Sequence, residues 1–222
     1  MSEQSLWQKV YDELFRRIIA KELLPGDVLD RRRLAEELGV SLSPVVHALG
    51  RLDHEGFLEV LPRRGTRLRV IRREDFRGQM LARNALECQA ARVICGRPVE
   101  ENGRRLQALA KRVDATRVGR RINWEAEVAF HRALVAMVGC PVFLREYDRV
   151  MRVGLFVLVS TFSESNPFPI DPSRSWHADL VGKLRTAKPD VAERALREHL
   201  EMGRETYLAA GDGEGGRMRN GE

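Results

Sequence analysis

The stretch from Leu34 to Arg67 constrains this chain more than any other. Leu34, Ala35 and Leu38 recur at helical spacing, and Gly39 follows at once, able to take the left-handed conformation that ends a helix. Val40 is placed to pack under the corner. Ser41 or Ser43 can cap a second helix, and if Ser43 does, Pro44 takes its first position, where the missing N–H costs nothing. Val45, Ala48, Leu49 and Leu52 give that helix an apolar face. Two short helices joined by a glycine turn form a helix-turn-helix, which places its second helix in a DNA major groove. Phe57 to Val60 then reads as a short strand. Arg63, Arg64, Gly65, Thr66 and Arg67 read as a cationic turn, a wing for the phosphate backbone.

Bulk charge does not make this case by itself. The 222 residues carry a formal charge of +6. Residues 1 to 73 hold 14 Lys and Arg against 11 Asp and Glu, a net of +3, and the remainder holds the other +3. Local clustering is the better signal. Arg31, Arg32 and Arg33 form one knot, and from Val60 to Arg73 there are six arginines and no acid. Such runs also fit a solvated surface, so they gain weight only from the helix-turn-helix between them. Cys88, Cys95 and Cys140 have no ligand-type spacing, and an odd number without a signal peptide reads as reduced thiols of a cytosolic protein. No apolar run approaches the ~20 residues that span a bilayer.

A first helix is expected from about Leu6 to Lys21, stopped by Leu24-Pro25-Gly26-Asp27. The domain boundary falls at about residue 73. From there helical periodicity dominates, with Leu81, Ala85, Cys88 and Ala91 as one stripe and Leu106, Leu109 and Val113 as another. Further helices are expected over about 124–138, 141–162, 173–187 and 189–209, with a loop at 163–169. The Gly-rich residues 211–222 have nothing to bury and read as a disordered tail. The expected protein is mainly α: an N-terminal winged helix-turn-helix over 1–73, then an all-α bundle of six or seven helices over 74–210.

The order of these parts resembles the GntR family of bacterial transcription regulators. Leu24-Pro25-Gly26 with Leu29, Leu34 to Ser41, Pro44-Val45, Ala48-Leu49, Arg51-Leu52, Glu55-Gly56 and Arg64-Gly65-Thr66 carry the resemblance to its winged helix. The remainder looks like the helical effector-binding domain, of the FCD type, found in the family's FadR branch. The family's recognition helix usually opens Ser-Arg-Thr-Pro-Val-Arg-Glu. Here it reads Ser41-Leu42-Ser43-Pro44-Val45-Val46-His47, so Leu42 and Val46 stand where two DNA-contacting arginines are usual. DNA contact is expected from Arg31, Arg32, Arg33, Ser41, Ser43, Pro44, His47, Arg51, Arg63, Arg64, Gly65 and Thr66, with a base preference changed from the family's; Arg31 stands where the family commonly has an acid and could supply a compensating phosphate contact. His47 reads equally as a solvated helix residue.

Five histidines occur, three of them in the helical domain. Glu127 and His131 are four apart, so they share a helix face that continues to Leu134 and Val138. His177 and His199 lie on two later helices, each in an amphipathic frame. A bundle can aim side chains from several helices at one point, although a lone Glu-x-x-x-His pair is as readily a surface pair. The resemblance adds weight, because such domains commonly bind a divalent metal through an Asp-x-x-Phe-His helix and two later histidines. It implies a site of Glu127, His131, His177 and His199, with Glu in the Asp place. Three imidazoles and a carboxylate suit zinc, nickel, iron or manganese without distinguishing them. Arg83 matches an Arg-x-x-Leu-Glu pattern and is expected either to clamp an effector carboxylate or to pair with Glu87 at i+4. Arg149 and Arg152 are further effector candidates.

The expected function is a homodimeric, metabolite-responsive transcription regulator, more readily a repressor. It would bind a roughly palindromic double-stranded operator and be released by a small carboxylic acid at the metal. The competing readings are a regulator whose metal is the signal or purely structural, and a metal-dependent hydrolase. The last lacks an obvious general base.

Overall fold

In the computed structural model, residues 4–61, 65–116, 124–161 and 176–211 are described. Arg63, Arg64, the loop at 163–169 and residues 212–222 lie outside the described residues. The described residues form two compact units, one of those up to Arg72 with Val153–Thr161, the other of those from Arg73 to Arg152 and from 176 on.

In the first unit, α1 (Leu6–Ile19) opens with the Ser5 amide donating to the Gln8 side chain at 3.0 Å. It ends two residues before Lys21 and buries Val10, Tyr11, Leu14 and Ile18. A two-residue strand, β1 (Val28–Leu29), follows the Pro25-Gly26 turn. Helix α2 (Arg31–Leu38) begins with Asp30 accepting from the amides of Arg32 and Arg33 at 2.8 and 2.9 Å, and ends at Gly39 with φ 63°. Helix α3 (Leu42–His54) takes Ser41, not Ser43, as its N-cap. Pro44 is therefore its third residue, still within the first turn where amide donors lack intrahelical acceptors.

Strands β2 (Leu58–Leu61) and β3 (Gly65–Leu68) complete an antiparallel sheet of order β1-β3-β2. Gly65, Thr66 and Arg67, expected in a turn, are strand residues, with Thr66 opposite both Leu29 and Val60. Strand alternation then turns Thr66 inward, and it is 4% exposed. Its side chain is not on the surface expected of a DNA contact.

The second unit is all-α. Its helices among the described residues are α4 (Arg73–Ile94), α5 (Arg97–Glu101), α6 (Gly103–Thr116), α7 (Trp124–Ala136), the start of α8 (Pro141–Thr161), α9 (Trp176–Leu184) and α10 (Pro189–Gly211). Helix α10 packs on α4 and α9, and α6 packs on α7 and α9. The buried line of α4 is Phe76, Met80, Glu87, Cys88, Ala91 and Ile94, while Leu81 is 72% exposed. Leu81 sits about 100° around the helix from Met80, so the expected stripe through Leu81 and Ala85 misses the packed face. Gly96 (φ 76°) ends α4 and donates its amide to the Leu184 carbonyl at the end of α9. A Cβ there would meet the Ala187 Cα at an ordinary 3.5 Å, so it is the left-handed φ, not the space, that favours glycine.

Candidate metal centre and nucleic-acid interface

Helix α7 places Glu127 and His131 one turn apart, α9 supplies His177 from its first turn, and α10 supplies His199. One ligand-type atom from each of the four lies within 4.8 Å of the others. His131 Nε2 is 3.3 Å from Glu127 Oε1 and 3.4 Å from His199 Nε2, and His177 Nε2 is 3.1 Å from Glu127 Oε2. The two oxygens of Glu127 thus face two different imidazoles. His131 and His177 are fully buried, and Phe130 packs edge-on to both rings.

Two further carboxylates hold the outer ring nitrogens. His131 Nδ1 is 2.6 Å from Glu87 Oε2, and Glu87 Oε1 also accepts from Arg83 Nε at 2.7 Å and from the Tyr147 hydroxyl. His177 Nδ1 is 2.9 Å from Asp114 Oδ1, and Asp114 also caps α9 by accepting from the His177 and Ala178 amides. With Nδ1 held outward in each pair, Nε2 of each ring faces the centre, where it could ligate a metal once free of its proton. Carboxylate–histidine pairs of this kind orient metal ligands.

The electrostatics of the cluster follow from burial set against paired charges. Burial would lower the pKa of His131, but the Glu87 charge and the hydrogen bonds to Glu127 and Glu87 outweigh it and raise it to about 9. Burial would raise Glu87, yet Arg83 and His131 hold it at about 2. Glu127 likewise stays well below the usual carboxylate range despite its burial, because His177 and His131 face it. Burial and the two neighbouring histidines keep His199 uncharged. Three nitrogens and a carboxylate oxygen converge within 4.8 Å of one another. His177 Nε2 has no hydrogen bond despite its nearness to Glu127. Ligand atoms around a divalent ion with bonds of about 2.0–2.1 Å are separated by roughly 3–3.4 Å. Three of the separations in the cluster match that spacing, and the four ligand-type atoms together lie within 4.8 Å, a donor set of the kind that suits such an ion.

On α3 the inward positions are Val45, Ala48, Leu49 and Leu52, and the outward ones include Leu42, Ser43, Val46, His47, Gly50 and Arg51. His47 rests edge-on against Trp7, with centroids 6.2 Å apart. Arg51 Nε is held at 2.7 Å by buried Glu55, which also accepts from the Tyr11 hydroxyl. Arg31, Arg32 and Arg33 are exposed in the first turn of α2, with Arg33 paired to Glu37.

Residues 6–68 match the bacterial regulatory proteins of the gntR family, and residues 80–202, more than half of the chain, match the FCD domain. The chain belongs to the GntR family. It is 26% identical over 203 residues to a probable D-xylose utilization operon transcriptional repressor of Paenarthrobacter nicotinovorans, covering 90% of this chain and 88% of that protein. It is 25% identical over 201 residues to the HTH-type transcriptional repressor RspR of Escherichia coli K12, covering 89% and 87%. Among solved structures, E. coli McbR/YncC and a putative GntR regulator from Rhodococcus sp. RHA1 each align with TM-score 0.71, at 21% and 20% identity, over 93% of this chain and 99% of theirs. Those structures establish the shared fold. The family binds DNA and regulates transcription, and its members are not enzymes.

This GntR regulator thus brings together Glu127, His131, His177 and His199. Arg83 is ion-paired with Glu87, and its buried Nη2 has no hydrogen bond. Arg149 is exposed on α8, and Arg152 is half-buried. The residue α8 does contribute is Tyr147. Glu87, Asp114 and Tyr147 were not expected from sequence, because each is joined to the cluster only by a long-range contact. His199 also lines a cleft of about 210 Å3 between α9 and α10, with Trp176, Lys183 and Met202 among its walls. Among the described residues, no helix is long and apolar enough to cross a membrane.

Proposed function

We propose that this chain is a cytoplasmic, homodimeric repressor that holds a divalent transition metal and leaves its operator when a small carboxylic acid binds. The convergence of Glu127 with His131, His177 and His199, backed by Glu87 and Asp114, is the observation that carries the reading. A divalent ion held there supplies a Lewis-acid point that a carboxylate can coordinate. Glu87 and Asp114 fix the tautomers of two imidazoles, and Phe130 limits water beside them. Arg83, whose buried Nη2 has no hydrogen bond, would hold the acid's second oxygen. The repressor names of the two relatives support the direction of control.

A dimer matches a roughly palindromic site, because two-fold protein symmetry is mirrored in the DNA. For a nearly complete switch the acid must favour the DNA-incompetent state by about 5 kcal/mol. The test measures operator affinity of metal-loaded protein against a panel of small carboxylic acids, with His131→Ala beside it. Loss of affinity in the wild type alone supports the reading, and equal responses remove the metal site from the switch.

The depth of His131 and His177 favours one other reading, a metal that is structural or is itself the signal. A sensor changes DNA affinity at low free metal, whereas a structural site unfolds when stripped.

A further inference from the structure

The outward face of α3 is unusual chemically for a helix that enters a DNA groove. Leu42 is 45% exposed and Val46 40% exposed, one turn apart, while the inward residues Val45 and Leu52 are fully buried. From Leu42 to Gly50 no exposed position carries arginine, lysine, asparagine or glutamine. Those are the side chains that read guanine or adenine edges with paired hydrogen bonds. The first cation on the face is Arg51, already held by Glu55. The major groove has one apolar feature of its own, the C5 methyl of thymine. Side chains at i and i+4 stand about 5–6 Å apart, the span of one to two base steps.

Gly50 adds an independent observation. A glycine inside a helix is disfavoured relative to alanine, yet a Cβ built at Gly50 meets nothing within 4 Å. Packing inside the protein gives no reason for glycine there. A bare backbone on the outward face does allow a partner surface to come close.

We propose that Leu42 and Val46 read thymine methyl groups at neighbouring positions of each operator half-site, with Gly50 letting α3 lie deep in the groove. The inference rests on the DNA-binding reading above and specifies its sequence preference.

The test enriches duplexes from a random-sequence library with the full-length protein. Affinity is then measured with single thymines replaced by deoxyuridine, which removes only the methyl. Two positions per half-site are expected to weaken binding about three- to fourfold each, the burial value of one methyl group. In Leu42→Ala and Val46→Ala proteins, one of those two sensitivities should vanish in each. Gly50→Ala should weaken binding to every enriched duplex. If duplexes are enriched but tolerate deoxyuridine everywhere, thymine reading is overturned while DNA binding stands. If none is enriched, the DNA-binding reading falls and this inference with it. If Leu42→Ser with Val46→Ser leaves DNA affinity intact but changes the oligomeric state, the face is a protein contact and the proposal is overturned.

Discussion

His131 and Glu87, 44 residues apart in sequence, meet with Nδ1 2.6 Å from Oε2, and both side chains are buried. This contact sets the direction of the His131 lone pair, so the carboxylate should matter even though it is not one of the four converging ligands. Glu87→Gln keeps the shape, loses the charge and leaves Arg83 buried beside a neutral partner. Compared at about pH 9 and above, where protons no longer compete at His131, metal affinity should fall about 10- to 100-fold. Stability should fall by roughly 3–5 kcal/mol through the broken ion pair. Chelator competition and denaturant titration measure the two separately, and unchanged metal affinity would show that Glu87 serves only Arg83.

Metal content gives the simplest check. About one transition metal per chain is expected in purified protein, and none in His177→Ala. Stripping with a chelator should lower the melting temperature, since a ligand at 1,000 times its Kd adds about 4 kcal/mol. A melting curve that ignores both chelator and added zinc, nickel or manganese would leave the cluster as a hydrogen-bonded core.

The helix-turn-helix contains two glycines whose replacement should have opposite effects. Gly39 ends α2 at φ 63° with open space around its Cβ position, so alanine there meets only backbone strain, about 1–2 kcal/mol destabilising. Gly50 is helical and equally open, so alanine should stabilise by up to about 1 kcal/mol. Hydrogen exchange of amides in α1, α2 and α3 reads both changes in the unit concerned. The same sign for both would contradict this account of the turn.

These cases also show how far sequence carries. Gly39 and the burial of Val45, Ala48, Leu49 and Leu52 are legible because the turn and the 3.6-residue period are local. The four converging residues were reachable through periodicity together with family resemblance. Their supports were not. Glu87 reads from sequence as the i+4 partner of Arg83, and nothing local links it to His131 or Tyr147. Asp114 is 63 residues from His177, and only packing of α6 on α9 joins them. Thr66 was misplaced because its strand begins at Gly65, one residue too early for it to remain in a turn. The two-residue β1 has no periodicity to detect.

Proton competition at His131 gives metal binding a pH dependence of definite sign. Burial lowers the pKa of this ring, but Glu87 and Glu127 raise it to about 9. The metal-free ring therefore keeps its second proton at neutral pH, and a metal must displace it. Affinity should rise with pH, roughly tenfold per unit between pH 6 and 8, and level off above about 9. Titration calorimetry in buffers of different ionisation heat should show about one proton released near pH 7. In Glu87→Gln the released fraction should fall, because the charge that raises His131 is gone. Release independent of Glu87 would place the titrating proton elsewhere.

Arg83 separates holding a metal from sensing an acid. Its Nε is committed to Glu87 at 2.7 Å, whereas its buried Nη2 has no hydrogen bond. A guanidinium can serve both with one rigid fork, and an ammonium cannot. Arg83→Lys keeps the charge beside Glu87, so metal stoichiometry should be unchanged. The acid concentration giving half-release of the operator should rise about tenfold or more, the loss of one charged hydrogen bond of roughly 1.5–3 kcal/mol. DNA affinity without acid is expected to stay as in the wild type. If Arg83→Lys responds to the acid normally, Arg83 only balances Glu87, and the acid's second oxygen is held by another group.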